Sequence, residues 1–236
     1  MATDHLERGA MAGVAGGLVY GLFVATVGNA FTAGLEAFEH DHGHGGGPVV
    51  SDLTTAAAGV GGGVLWGLLF GVAVFGIAYY FLEPALPGSG ATRRFALAAA
   101  GFLTVSGAPW LVLPPQPPGV EQSLGTEPRM LWYGGMMVAG ATVAVLSGLA
   151  HRRTAGRHTA VRAAATLAPL ALLAIPAALA PANPVHGHVP AALASAYRWT
   201  VVFGQVALWT TIAAVHAWFD DPELAAVDTD YPSTAD

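Results

Sequence analysis

The chain contains no cysteine and no lysine, and only 10% of its residues are charged. Without cysteine there is no disulfide, no thiolate metal site and no iron–sulfur cluster. Any metal must therefore be held by His, carboxylate or backbone oxygen. Without lysine there is no P-loop and no lysine Schiff base, so ATP hydrolysis through a Walker motif is excluded. All nine basic residues are Arg, and the net charge of -6 argues against nucleic acid as a partner, because phosphate binding needs a basic face. Hydrolytic signatures are missing as well. No His-Glu-x-x-His occurs, and neither Ser106 nor Ser195 has a base positioned by a sequence motif. Enzymatic activity is not expected.

What the chain does have is apolar sequence. Of 236 residues 54% are hydrophobic and the mean hydropathy is +0.54, far from a soluble domain with roughly 25% charged residues. Six stretches, 9–33, 56–82, 95–113, 131–150, 163–182 and 199–218, approach the roughly 20 helical residues needed to cross a bilayer. The expected fold is all-α, a polytopic membrane protein with six transmembrane helices. Residues 1–220 form that domain, followed by an acidic cytoplasmic tail at 221–236, expected to be disordered. Arg8 before the first stretch and Gly28-Asn29-Ala30 near its end have the flavour of a signal peptide. The apolar run, however, exceeds the 7 to 15 residues of a signal core, which favours a retained span.

Arginine placement sets orientation. Arg8, Arg93, Arg94, Arg152, Arg153, Arg157 and Arg162 fall on one side, Arg129 and Arg198 on the other. By the positive-inside rule both termini are cytoplasmic, and the loops 34–55, 114–130 and 183–198 face outward from the cell membrane. The outer loops hold His40, His42, His44, His186 and His188.

The segment 35–47 is the densest chemistry in the chain. In a helix extending past the membrane, Glu36, Glu39 and His40 fall at i, i+3 and i+4 and share a face. Beyond them His40, His42 and His44 alternate along a Gly-rich strand and present imidazoles in a row. Imidazole and carboxylate suit a first-row divalent ion but do not select among zinc, copper, nickel and cobalt. His186 and His188 add a smaller cluster on the same side. The competing reading is a solvated loop that merely tolerates histidine.

Polar groups at membrane depth are few: Asn29, Thr104, Ser106, Gln205 and, near the inner end, His216. A buried carboxylate relay of the kind found in proton-coupled pumps is therefore not expected. Asn29 and Gln205 are candidates for interhelical hydrogen bonds or for an ion path. His216 reads as a packed or snorkelling histidine rather than a ligand. Gly9, Gly13, Gly17 and Gly21, then Gly59, Gly63, Gly67 and Gly71, recur four apart and make stripes for close packing with each other or with a partner, including a second copy. Pro109, Pro169 and Pro176 favour kinks. Pro114-Pro115-Gln116-Pro117-Pro118-Gly119 reads as stiff polyproline II, a lid, a vestibule wall or a connector.

The chain resembles the CbtA family of predicted cobalt transporter subunits. The likeness lies in Leu35-Glu36-Ala37-Phe38-Glu39, in 113–119, in Arg129 with Trp132-Tyr133, and in Pro190-Ala191-Ala192-Leu193-Ala194. It runs in matching order from about residue 8 to 218. The resemblance implies cobalt uptake serving cobalamin synthesis, together with a small single-span His-rich subunit of the CbtB type. The family pattern has Glu in the proline-rich loop where this chain has Gln116, which leaves Glu121 as the nearest carboxylate. The combined expectation is uptake of Co2+, with Ni2+ or Zn2+ as alternatives and no tightly bound cofactor. Glu36, Glu39, His40, His42, His44, His186 and His188 are the expected ligands, and Asn29, Gln116, Glu121, Arg129 and Gln205 are pathway or gating candidates. The alternative is a membrane accessory subunit that binds or senses metal without transporting it.

Overall fold

The computed structural model describes residues 2–31, 33, 52–117, 120–187 and 189–219. Glu36, Glu39, His40, His42, His44 and His188 lie outside the described residues, as does the expected acidic tail at 221–236.

The protein is an all-α polytopic membrane protein. Five helical runs are long and apolar enough to cross a bilayer: Thr3–Phe31, Thr54–Ala85, Thr126–Arg153, Thr159–Leu179 and Ala191–Trp218. Helix α1 (Ala2–Phe23) opens the first and widens into a π turn at Val24–Gly28. Helix α2 (Asp52–Phe70) widens likewise over Gly71–Ala78 before α3 (Tyr79–Leu82) and a 3-10 turn at Glu83–Ala85.

The expected span 95–113 is segmented rather than continuous. Helix α4 (Ala91–Phe102) passes into a π turn at Leu103–Gly107 and then a 3-10 turn at Pro109–Leu111. Pro109 has no N–H to give to Val105, four residues back, so the α-ladder cannot continue through it. Helix α5 (Thr126–Arg153) runs unbroken over the expected span 131–150. Helix α6 (Thr159–Leu167) tightens to 3-10 at Ala168–Leu173, around Pro169, before α7 (Ala174–Leu179). Helix α8 (Ala191–Trp218) completes the bundle.

The glycine stripes meet each other. A Cβ on Gly9 would lie 2.5 Å from the Gly71 carbonyl oxygen, one on Gly17 2.6 Å from that of Gly63, and one on Gly63 2.5 Å from Gly21 Cα. The partner numbers fall as those of α1 rise, so α1 and α2 run antiparallel, backbone against backbone. This seam bears out the first of the two expected uses of the stripes, packing against each other rather than against a partner.

Helix α8 packs behind the seam. Ala12, Phe75, Tyr79, Leu97, Leu208, Trp209 and Ile212 form a shared core of α1, α3 with its π segment, α4 and α8. Gly101 makes room for the indole, since a Cβ there would come within 2.5 Å of Trp209 Cη2. A second, smaller core of Ala108, Met136, Val143 and Leu173 joins α5 to the π turn and to the 3-10 segment of the fifth span.

The carbonyl that Pro109 leaves without its helical donor finds a replacement. Tyr133 Oη donates to the Val105 carbonyl at 2.6 Å. An unpaired carbonyl in hydrocarbon costs more than one that water can reach. Tyr133→Phe is therefore expected to destabilise the protein by about 1–3 kcal/mol. Pro109→Ala, which restores a backbone donor at that position, should recover part of the loss. Thermal unfolding of the two single variants and the double variant in detergent checks this; strictly additive effects would break the proposed link between Tyr133 and Pro109.

Candidate functional site

Two loops far apart in sequence are stitched together at the end of the bundle where α5 and α8 begin. Strand β1 (Glu121–Gln122) pairs antiparallel with β2 (Val185–His186), with Glu121 opposite His186 and Gln122 opposite Val185. Polar side chains reinforce this minimal ladder. Ser123 Oγ and the Ser123 N–H both donate to the Pro184 carbonyl, at 2.7 and 3.0 Å. Asn183 Oδ1 accepts from the Leu124 N–H at 3.0 Å, and Asn183 Nδ2 donates to Gln122 Oε1 at 2.9 Å.

Directly opposed residues in such a pair project their side chains to the same face. The ladder therefore makes cross-strand neighbours of the exposed Glu121 carboxylate and the exposed His186 imidazole. One ring nitrogen of His186, Nδ1, sits 3.4 Å from Ser123 Oγ. A carboxylate and an imidazole side by side are a fragment of a first-row metal site and two to four ligands short of a complete one. Among the described residues no group of three or more His, Cys, Asp or Glu side chains is close enough to hold a metal.

Gln122, on the opposite face from Glu121, lines a cavity of about 320 Å3 together with Pro114, Gln116, Thr126, Arg129 and Tyr133. The structure brings Gln116 and Arg129, two of the pathway or gating candidates, to one cavity. It also adds Arg198, whose Nη2 donates to Gln116 Oε1 at 3.1 Å and so ties the proline-rich loop to α8. Arg129 Nη2 donates to Thr126 Oγ1 at 3.4 Å. The Nε atoms of Arg129 and Arg198 are buried without a hydrogen-bond partner among the described residues. Arg129 is the charged residue in the described lining, which holds no carboxylate to ligate a divalent cation. The metal-compatible chemistry sits on the ladder face, outside the cavity.

The end of the first span reaches the same region. Phe31 packs against Tyr197, the neighbour of Arg198, with ring centroids 5.9 Å apart. Phe31, at the end of the first helical run, therefore lies near Arg198 and the cavity. Deeper in, Ser106 Oγ donates to Gln205 Oε1 at 3.5 Å, joining the π turn of the third span to α8. Gln205 thus has the interhelical role that was one of its two expected readings. Asn29 is half-buried just past the π turn of the first span.

A second polar cluster lies at the opposite end, and the sequence reading did not assemble it. Arg94 is 6% exposed and His216 0% exposed. Arg94 Nε donates to His216 Nδ1 at 3.4 Å, Arg94 Nη1 donates to the Gly90 carbonyl at 2.7 Å, and the guanidinium lies 5.1 Å from the Tyr79 ring centre. Tyr79 Oη in turn donates to Glu83 Oε1 at 3.2 Å, and Glu83 pairs with Arg93 at 3.5 Å. His216 is a packed histidine held between Phe75 and Tyr79, with ring centres 5.5 and 5.1 Å away. A donor occupying Nδ1 and rings on both sides leave it poorly placed as a metal ligand. The 122-residue separation of Arg94 and His216 gave no local signal that they would meet.

A family model described as probable cobalt transporter subunit (CbtA) matches residues 3–221. No curated protein and no solved structure matches the chain.

Proposed function

This chain belongs to the CbtA family, and from that premise we propose that it is a membrane subunit for uptake of a divalent transition metal, Co2+ first, with Ni2+ and Zn2+ sharing the same ligand chemistry. Metal is captured on the outer face by Glu36, Glu39, His40, His42 and His44, with His186 and His188 as a second contact. The observation that carries this reading is the register of Glu121 opposite His186 on a ladder that joins two outer loops. Glu121 supplies the carboxylate that Gln116 does not. The described lining of the cavity holds no carboxylate, which favours capture on the ladder face and the loop after the first span. A small single-span His-rich subunit is the partner that hands metal over or receives it.

Radiocobalt accumulation at limiting Co2+ tests this in cells expressing the chain with its neighbouring subunit. Glu121→Ala with His186→Ala is expected to lower the apparent affinity by about tenfold or more, as loss of metal-site residues does elsewhere. Glu36→Ala with Glu39→Ala should do the same. Wild-type accumulation in both double variants, at equal membrane abundance, would remove these residues from the path.

The thin polar inventory at membrane depth, with Ser106 and Gln205 the bonded pair there, favours a second reading. In it the chain binds or senses metal for a partner that does the transport. Purified protein in liposomes separates the two: Co2+ influx by this chain alone means transport, and binding without influx means an accessory subunit.

A further inference from the structure

Helices α4 and α5 meet at one end and part at the other. At Gly140 a Cβ would lie 2.9 Å from Ala108 Cβ and 3.0 Å from the Leu103 carbonyl oxygen, whereas at Gly148 nothing lies within 4 Å. Eight residues of helix separate the two glycines, about 12 Å along the axis. The result is a wedge of about 530 Å3, walled by apolar side chains such as Leu97, Ala100, Leu103, Val145 and Leu170. It is closed near Gly140 and open toward the end of α5.

The open end is polar and basic. Ser147, His151, Arg152 and Thr166 line it. His151 Nδ1 and Thr166 Oγ1 are 3.2 Å apart, and Ser147 Oγ is buried without a hydrogen-bond partner among the described residues. Arg153, Arg157 and Arg162 follow in the same stretch, and no Asp or Glu occurs from residue 128 to 219. Among the described residues Arg152, Arg153, Arg157 and Arg162 form no ion pair with a carboxylate, unlike Arg93, which pairs with Glu83. A stack of apolar wedge, lone hydroxyl and uncompensated arginines repeats the order of a phospholipid: acyl chain, glycerol ester, phosphate.

The geometry points to a binding site for one anionic phospholipid, with an acyl chain in the wedge between α4 and α5 and the phosphate beside Arg152. Basic recesses between membrane helices recognise acidic headgroups in this way. Ser147 Oγ donates to an ester carbonyl. A transmembrane helix, about 10–12 Å across with its side chains, does not fit a gap that narrows to side-chain contact at Gly140. A flexible acyl chain can end there.

Native mass spectrometry of the full chain in detergent tests this with phosphatidylglycerol, phosphatidylcholine of the same acyl chains, and inorganic phosphate. One phosphatidylglycerol is expected to remain bound under conditions that strip phosphatidylcholine. Arg152→Gln, at an exposed position, should weaken its retention about fivefold, the effect of one basic residue at an anionic headgroup. Gly148→Leu should fill the wedge and exclude both lipids. Equal retention of the two lipids, insensitivity to both variants, or displacement by inorganic phosphate alone would overturn the site. So would a Gly148→Cys variant that crosslinks to another protein in native membranes, since the chain has no other cysteine and the occupant would then be a polypeptide.

Discussion

Gly67→Val is expected to cost at least about 3 kcal/mol, the upper end of the overpacking range, and to abolish the monodisperse folded species after detergent extraction. The reason is geometric. A Cβ at Gly67 would lie 2.5 Å from both the N and Cα of Gly17. Most overpacked sites relax by moving a side chain, but here the obstacle is the backbone of α1, which can retreat only by separating the two helices along the whole seam. In a bilayer the seam is held by van der Waals contact between backbones, with no hydrophobic drive to press the helices together. Gly62 lies on the same helix with nothing within 4 Å, so Gly62→Ala is the matched control. It should leave the unfolding midpoint unchanged or raise it, because Ala is the better helix former by up to about 1 kcal/mol. Equal midpoints for Gly67→Val and wild type in fluorescence-detected thermal unfolding would mean that the stripes do not face each other.

His216→Phe is expected to destabilise the protein by about 3 kcal/mol, since Arg94 is buried and loses the acceptor of its Nε proton. Phe is the larger side chain, so no cavity opens and the cost reports the lost acceptor together with overpacking, which the double-mutant cycle separates. Arg94→Met alone leaves the His216 ring nitrogen unsatisfied and should also destabilise. The double variant, Arg94→Met with His216→Phe, removes both partners and should recover most of the loss, because an apolar pair of similar size is often as stable as the polar one. A double-mutant cycle of unfolding midpoints in detergent measures the coupling. A coupling near zero would mean that Arg94 is satisfied by Gly90 and Tyr79 without help from His216.

The site where α5 and α8 begin divides differently between sequence and structure. His186 and Glu121 were legible as donors of the right chemistry, yet 65 residues separate them and no local pattern announced that they would stand in register. Their pairing depends on Ser123, Asn183 and Gln122, three ordinary polar residues whose side chains bridge the loops. Gln116 and Arg129 were expected as pathway or gating residues, whereas Arg198 was legible only as a charge that sets sidedness. Its bond to Gln116 arises because α8 brings Arg198 to the proline-rich loop. Tyr133 was visible as part of an aromatic pair in the family pattern, and its task of satisfying Val105 is readable only once the break at Pro109 is in place.

Sequence alone determined the class of this protein. Long apolar runs with almost no charge must be helices in lipid, because every backbone polar group there needs a partner within its own segment. The four-residue glycine period gave two close-packing faces for the same reason, since spacing along one helix is a local property. Tertiary structure decided what those faces touch. It turned the stripes inward on each other, broke the third span at Pro109 and opened a wedge beside it, buried Arg94 on His216, and set Glu121 opposite His186. Each of these rests on contacts between residues far apart in the chain, where the outcome depends on which helices settle side by side.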